Sequence, residues 1–215
     1  MNPPRSLSSG TELSALLMVV TVALVISGIG PKDAMTWLLE VLPVLIVAPV
    51  LILTRRRFPL TRLCYWFITL HALILILGGH YTYAEVPLGF WLQDAFDLAR
   101  NPYDRIGHIA QGFIPALVTR EILLRKSPLR PGGWLFMLVV SVCLAFSAFY
   151  EMIEWWVAVI AGISAEAFLG TQGDIWDTQW DMFLALLGAI TAQLVFSRVQ
   201  DRQLGRMGIE PGPRA

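Results

Sequence analysis

Charge is scarce in this chain. Asp, Glu, Lys and Arg make up 15% of its 215 residues, where a water-soluble domain carries about a quarter. So few charges cannot cover the surface of a soluble domain of this length, which excludes an ordinary cytosolic enzyme. The 56% of hydrophobic residues excludes a disordered chain. Net charge is absent as well: 16 basic and 16 acidic residues leave no general positive field, so nucleic acid is not an expected partner. Cysteine is nearly missing. Cys64 and Cys143 both fall inside apolar runs, which suggests neither a disulfide framework nor a thiolate metal site. The sequence also lacks HExxH, G-x-S-x-G, a cysteine pair and a P-loop.

Long apolar runs are what the chain has instead, with a mean hydropathy of +0.62. A spanning helix needs about 20 mostly apolar residues. Segments 13–30, 34–53, 60–78, 106–124, 134–163 and 180–196 approach that length. The first is too long for a signal-peptide core and no small-x-small site follows it, so it reads as an uncleaved helix. The expected fold is all-α: a polytopic membrane bundle of six transmembrane helices, with the lipid bilayer as its first partner. Residues 1–12 form a cytoplasmic segment, 13–197 the membrane domain and 198–215 a cytoplasmic tail. Nothing in the sequence fixes the oligomeric state.

Charge sets the direction. Arg55, Arg56, Arg57 and Arg62 join spans two and three, Arg120, Arg125, Lys126 and Arg130 join four and five, and Arg198, Arg202 and Arg206 follow six. Basic residues stay on the cytoplasmic side, so both termini are inside. The inside then holds 13 basic and 4 acidic residues, and the outside 3 basic and 12 acidic. Two outer segments are long, 79–105 and 164–179. Within the first, 88–100 (LGFWLQDAFDLAR) predicts a short interfacial helix in the third loop. Trp91, Leu92, Ala95, Phe96 and Ala99 share its apolar face, with Gln93, Asp94, Asp97 and Arg100 largely opposite.

The acids converge on this outer side. Asp104, His108 and Gln111 sit at i, i+4 and i+7 on span four, and Ser147, Glu151 and Glu154 repeat that spacing on span five. Asp174, Asp177 and Asp181 precede or open span six, and Glu40 falls in the outer half of span two. A carboxylate facing lipid costs about 2.5–3.5 kcal/mol, so Glu151 and Glu154 should face the bundle interior. Ala185, Gly188, Ala189 and Ala192 continue the face of Asp181 as a small-residue stripe fit for close helix packing. His108, Glu151, Glu154 and Asp181 are the candidate catalytic residues. Asp104, His108, Glu151, Asp177 and Asp181 are the candidate ligands for one divalent ion, and Gln111, His80 and Asp174 the candidate substrate contacts. Structural roles compete at some positions. Asn101-Pro102-Tyr103-Asp104 also reads as a helix start and Asp177 as a cap. Trp155, Trp156, Trp176 and Trp180 fit an interfacial belt, and His71 fits a packed histidine.

These residues carry a resemblance. GGHYTYAEVPLG (78–89), RNPYDRIGHIAQGFIPA (100–116), RE (120–121), YEMIEWW (150–156) and FLGTQGDIWDTQWDM (168–182) resemble the YjdF-type bacterial inner-membrane proteins, a family of unknown function. The resemblance covers about residues 30–200 and implies a multi-pass protein of the bacterial inner membrane, without a reaction. The order Asp104, His108, Glu151, Asp181, Gly188 is more remotely similar to that of VanZ-like membrane proteins, with Ala185 where an Asn is expected.

Several functions fit the residues. One is a membrane enzyme on an amphiphilic, lipid-linked or envelope substrate at the outer leaflet, with His108 among carboxylates for acid–base work or a divalent ion held by the same groups. A nucleophilic serine would have to be Ser147 or Ser164. The others are a small proton-coupled transporter or permease and a non-catalytic envelope assembly factor. The inner halves of spans four to six carry no ionisable group beyond Arg120 and Glu121, and no internal repeat occurs, which weighs against transport.

Overall fold

The computed structural model describes residues 6–161 and 171–209, and every regular element among them is helical. In chain order these are α1 (Gly10–Ser27), α2 (Ala34–Thr54), α3 (Arg62–Tyr81), a 3-10 turn (Tyr83–Glu85), α4 (Pro87–Phe96), α5 (Tyr103–Lys126), α6 (Gly133–Ala161) and α7 (Asp177–Arg206). Five of them, α1, α2, α3, α6 and α7, are long and apolar enough to cross a membrane. The other expected span, 106–124, lies within α5 but is less apolar, since α5 carries Asp104, Arg105, Arg120, Glu121, Arg125 and Lys126. Position explains the difference. α5 packs against α3, α6 and α7, so its polar face meets protein rather than lipid.

Helix ends fall away from three expected boundaries. Ser9 caps α1 by accepting from the Glu12 N–H at 3.0 Å, so the helix starts inside the segment 1–12 read as a cytoplasmic lead. α7 runs on to Arg206, through residues assigned to the tail, because Gln200 and Asp201 meet Arg120 of α5 and Gln203 accepts from the Leu63 N–H of α3. α4 stops at Phe96, where Asp97 turns to φ +50°, so Ala99 and Arg100 lie outside the interfacial helix. Leu88, Phe90, Trp91 and Phe96 on α4 are exposed. Asp33 caps α2 through the Thr36 N–H at 2.6 Å, and that bond holds its carboxyl below the usual range. Of the second outer segment, 164–170 lies outside the described residues.

Packing is tightest between α5 and α7. Ala185, Ala189 and Ala192 are fully buried, as the small-residue stripe predicts. A Cβ built on Gly112 would collide with the Ala185 carbonyl, and one on Gly188 with the Ile109 carbonyl, so the two backbones touch. On the other side, α1 and α2 pack on α3 around Val20, Val41, Val44, Ala72 and Ile76. Cys64 and Cys143 are free, buried thiols.

Candidate functional site

Helical spacing builds the site. On α5, Asp104 and His108 stack one turn apart, with Asp104 Oδ1 3.4 Å from His108 Nε2. α7 brings Asp181 Oδ2 to 3.8 Å from the same nitrogen, and α6 brings Glu151 Oε1 to 3.9 Å from Nδ1. Two overlapping groups of potential ligand atoms result, each within 4.8 Å: Asp104, His108 and Asp181, and His108, Glu151 and Glu154. All five residues are buried. Buried polar atoms ordinarily find hydrogen-bond partners. Among the described residues, Asp104 Oδ2, His108 Nδ1, Glu151 Oε1 and Asp181 Oδ1 have none, nor do Gln111 Oε1 and Ser147 Oγ. Four carboxylates therefore surround one imidazole in a low-dielectric interior, with lone pairs unfilled and too little positive charge to balance them. That donor set suits a hard or borderline divalent cation, and equally a proton shuttled through His108.

Arginine closes the rim of the cluster. Arg100 Nη2 donates to Asp177 Oδ1 at 2.6 Å and lies 3.9 Å from Asp104 Oδ2, while Nη1 donates to the Thr171 carbonyl at 2.8 Å. Arg105 Nη2 reaches Asp174 Oδ2 at 3.2 Å. The expected cap at Asp177 is thus corrected. Asp177 is the first residue of α7, the N-cap position is Trp176, and the Asp177 carboxylate serves Arg100. Asn101 precedes the N-cap of α5, yet its Oδ1 still accepts from the Tyr103 N–H at 3.0 Å. Across the bundle, the Tyr150 hydroxyl donates to Glu40 Oε2 at 3.1 Å.

The remaining candidates lie apart from the cluster. His80 Nδ1 sits 2.8 Å from the Ser27 carbonyl at the end of α1. His71 has a buried Nε2 without a partner and no ionic contact. Trp155, Trp156, Trp176 and Trp180 are all exposed. Ser164 lies outside the described residues. Sequence reasoning missed Arg100 as a site residue, although its spacing of four from Asp104 was a usable signal. It also left Glu40 outside the site. Glu40 and Tyr150 are separated by 110 residues, and no local pattern joins them.

A second buried polar group occupies the far end of α5, 13 residues from His108 or about 20 Å along the helix. The Glu121 carboxylate accepts from the Thr61 N–H (3.1 Å), the Thr61 hydroxyl (2.7 Å) and Arg125 (2.7 Å), with Cys64 Sγ at 3.4 Å. Arg120 donates to Gln200 Oε1 (3.1 Å) and Asp201 Oδ1 (2.7 Å).

The profile of a family described as predicted membrane protein (DUF2238) matches residues 12–202. Inner membrane protein YjdF of Escherichia coli (strain K12) is 52% identical over 200 residues, covering 93% of this chain and 96% of that protein. No solved structure matches. Neither match bears on the likeness to VanZ-like proteins, which rests on the order of polar residues alone.

Proposed function

Since this chain belongs to the family of predicted membrane proteins (DUF2238) and is a multi-pass inner-membrane protein, we propose that it spans the membrane six times with both termini inside. Its polar cluster then opens toward the outer leaflet, where it serves as a cation-dependent enzyme site for a lipid-linked or envelope amphiphile. α5 supplies the sixth span: its polar residues face α3, α6 and α7, which removes the lipid penalty that its composition would otherwise carry. Reporter fusions after Arg57, Arg130 and Arg206 should read cytoplasmic and one near Glu85 external, and one strong opposite signal would break the topology.

One observation carries the functional reading. The carboxylates of Asp104, Glu151 and Asp181, on three helices, converge on His108, and each keeps one buried oxygen without a hydrogen bond among the described residues. A scaffold has no use for such an arrangement, because each unmade bond costs about 1–3 kcal/mol. Asp104, Asp181 and the Nε2 of His108 would hold one divalent ion, with Glu151 at the other ring nitrogen, while Arg100 keeps Asp177 at the rim. The ion would supply Lewis-acid polarisation of a substrate oxygen. The Nδ1 of His108, on the side away from Asp104 and Asp181, would carry the proton, and Glu151 and Glu154 on that side would orient the ring for the ion. The saturated inner end of α5 favours chemistry on one side over transport, which needs access to both.

Metal analysis combined with bound-lipid mass spectrometry on the purified protein tests this. His108→Ala and Glu151→Gln should each lose bound metal while the protein still inserts. Metal content equal to wild type in both variants removes the ion. Absence of both metal and lipid from the wild type leaves an assembly factor.

A further inference from the structure

The arginines at the rim are less satisfied than those at the inner end. Arg100 and Arg105 each keep a buried Nε without a partner, whereas Arg120 and Arg125 show no such atom. Between the two guanidinium groups lies the Asp174 carboxylate, 3.2 Å from Arg105 Nη2 and 3.9 Å from Arg100 Nη1. Asp174 belongs to a strap, 171–176, folded back by Gln172 and Gly173 at φ +47° and +83°. Gln172 pins the strap by exchanging hydrogen bonds with the Asn101 backbone, at 3.2 and 3.0 Å. A planar carboxylate with one charge leaves this fork partly unused.

We infer that the rim is a phosphate subsite, in which Asp174 stands where the phosphate of an anionic headgroup binds. The inference rests on the cation site proposed above. A phosphate monoester offers three oxygens and up to two charges, enough to engage both guanidinium edges in forked bonds and still reach inward. Arg100 is the hinge between the two zones, because it also lies 3.9 Å from Asp104, whose other oxygen faces His108. The surrounding acids repel a phosphate unless a cation offsets them, so binding of the two is coupled. α4, whose apolar residues are exposed, is tied to this rim by the bond from Asn101 Nδ2 to the Val86 carbonyl at 3.0 Å, which favours a lipid as the source of the phosphate.

The test is calorimetric titration of the detergent-purified full chain with dihexanoyl phosphatidic acid, dihexanoyl phosphatidylcholine and inorganic phosphate, each with Mn²⁺ and with EDTA. Phosphatidic acid should bind in Mn²⁺ and not in EDTA, and phosphatidylcholine should bind in neither. Arg100→Gln should weaken binding about tenfold, the value of a charge-assisted hydrogen bond. Should that variant fold poorly, Arg105→Gln should weaken binding in the same direction. Asp174→Asn should tighten it about threefold, because a competing charge is removed. Equal affinity for inorganic phosphate upholds the subsite and assigns it to the free ion. Binding that weakens in Asp174→Asn, or no phosphate binding by protein that retains Mn²⁺, overturns the subsite and leaves the cation reading standing. Failure to bind Mn²⁺ overturns both.

Discussion

The two ends of α5 hold polar groups of opposite character. Around Glu121 every carboxylate lone pair is met, by Thr61, Cys64 and Arg125. Around His108 four acidic or imidazole atoms make no hydrogen bond among the described residues, and the ion-pair contacts of three of them are no closer than 3.9 Å. Both groups are buried and both gather three helices. The first is what a membrane helix needs in order to keep charge in its interior. The second has a cost that folding alone does not explain. The contrast teaches that satisfaction, more than burial or charge, separates a polar group that holds a membrane protein together from one kept open for a ligand.

The largest effect should come from the Glu121 end. Glu121→Ala removes the hub, leaves the Thr61 N–H without its acceptor and leaves Arg125 only the Pro59 carbonyl, at a cost of about 3–5 kcal/mol. Thermal unfolding of the purified protein in detergent measures it, and an unchanged Tm would mean that this end is not a structural clamp. The His108 end should respond with the other sign. The double variant Glu151→Gln, Glu154→Gln lowers desolvation and keeps side-chain shape, so stability should hold or rise while bound metal is lost. A fall in Tm comparable to that of Glu121→Ala would erase the distinction between the ends. Asp177→Asn should be smallest. Asn still accepts from Arg100, so the loss is about 1 kcal/mol or less, and metal content should match wild type. A marked loss of metal would move Asp177 from the rim into the ligand set.

Much of this was legible in the sequence, for physical reasons. The apolar runs mark α1, α2, α3, α6 and α7 because lipid demands them continuously. Spacings of three and four gathered Asp104 with His108 and Glu151 with Glu154, since one helix sets those faces by itself. What the sequence hid is non-local. The pairing of Arg100 with Asp177 crosses 77 residues and that of Tyr150 with Glu40 crosses 110. The extension of α7 to Arg206 was masked because charge after residue 196 reads as the end of a span, whereas Gln200 and Asp201 are drawn into the bundle by Arg120. Asp97 ended α4 early by taking a left-handed conformation that asparagine and aspartate tolerate better than most residues.

The close seam of α5 with α7 also bears on how the protein is made. Arg120 finds Gln200 only after another 80 residues have been added to the chain. At about 5–20 residues per second, that delay is about 4–16 s. During it α5, the long helix that lacks a span-length apolar stretch, stands in or beside the insertion machinery with His108 and Arg120 lacking their α7 partners. Assembly therefore depends on late capture. α5 stays poorly anchored until the Gly112–Gly188 seam closes around it, and a ribosome stalled before α7 emerges would leave a chain marked for proteolysis.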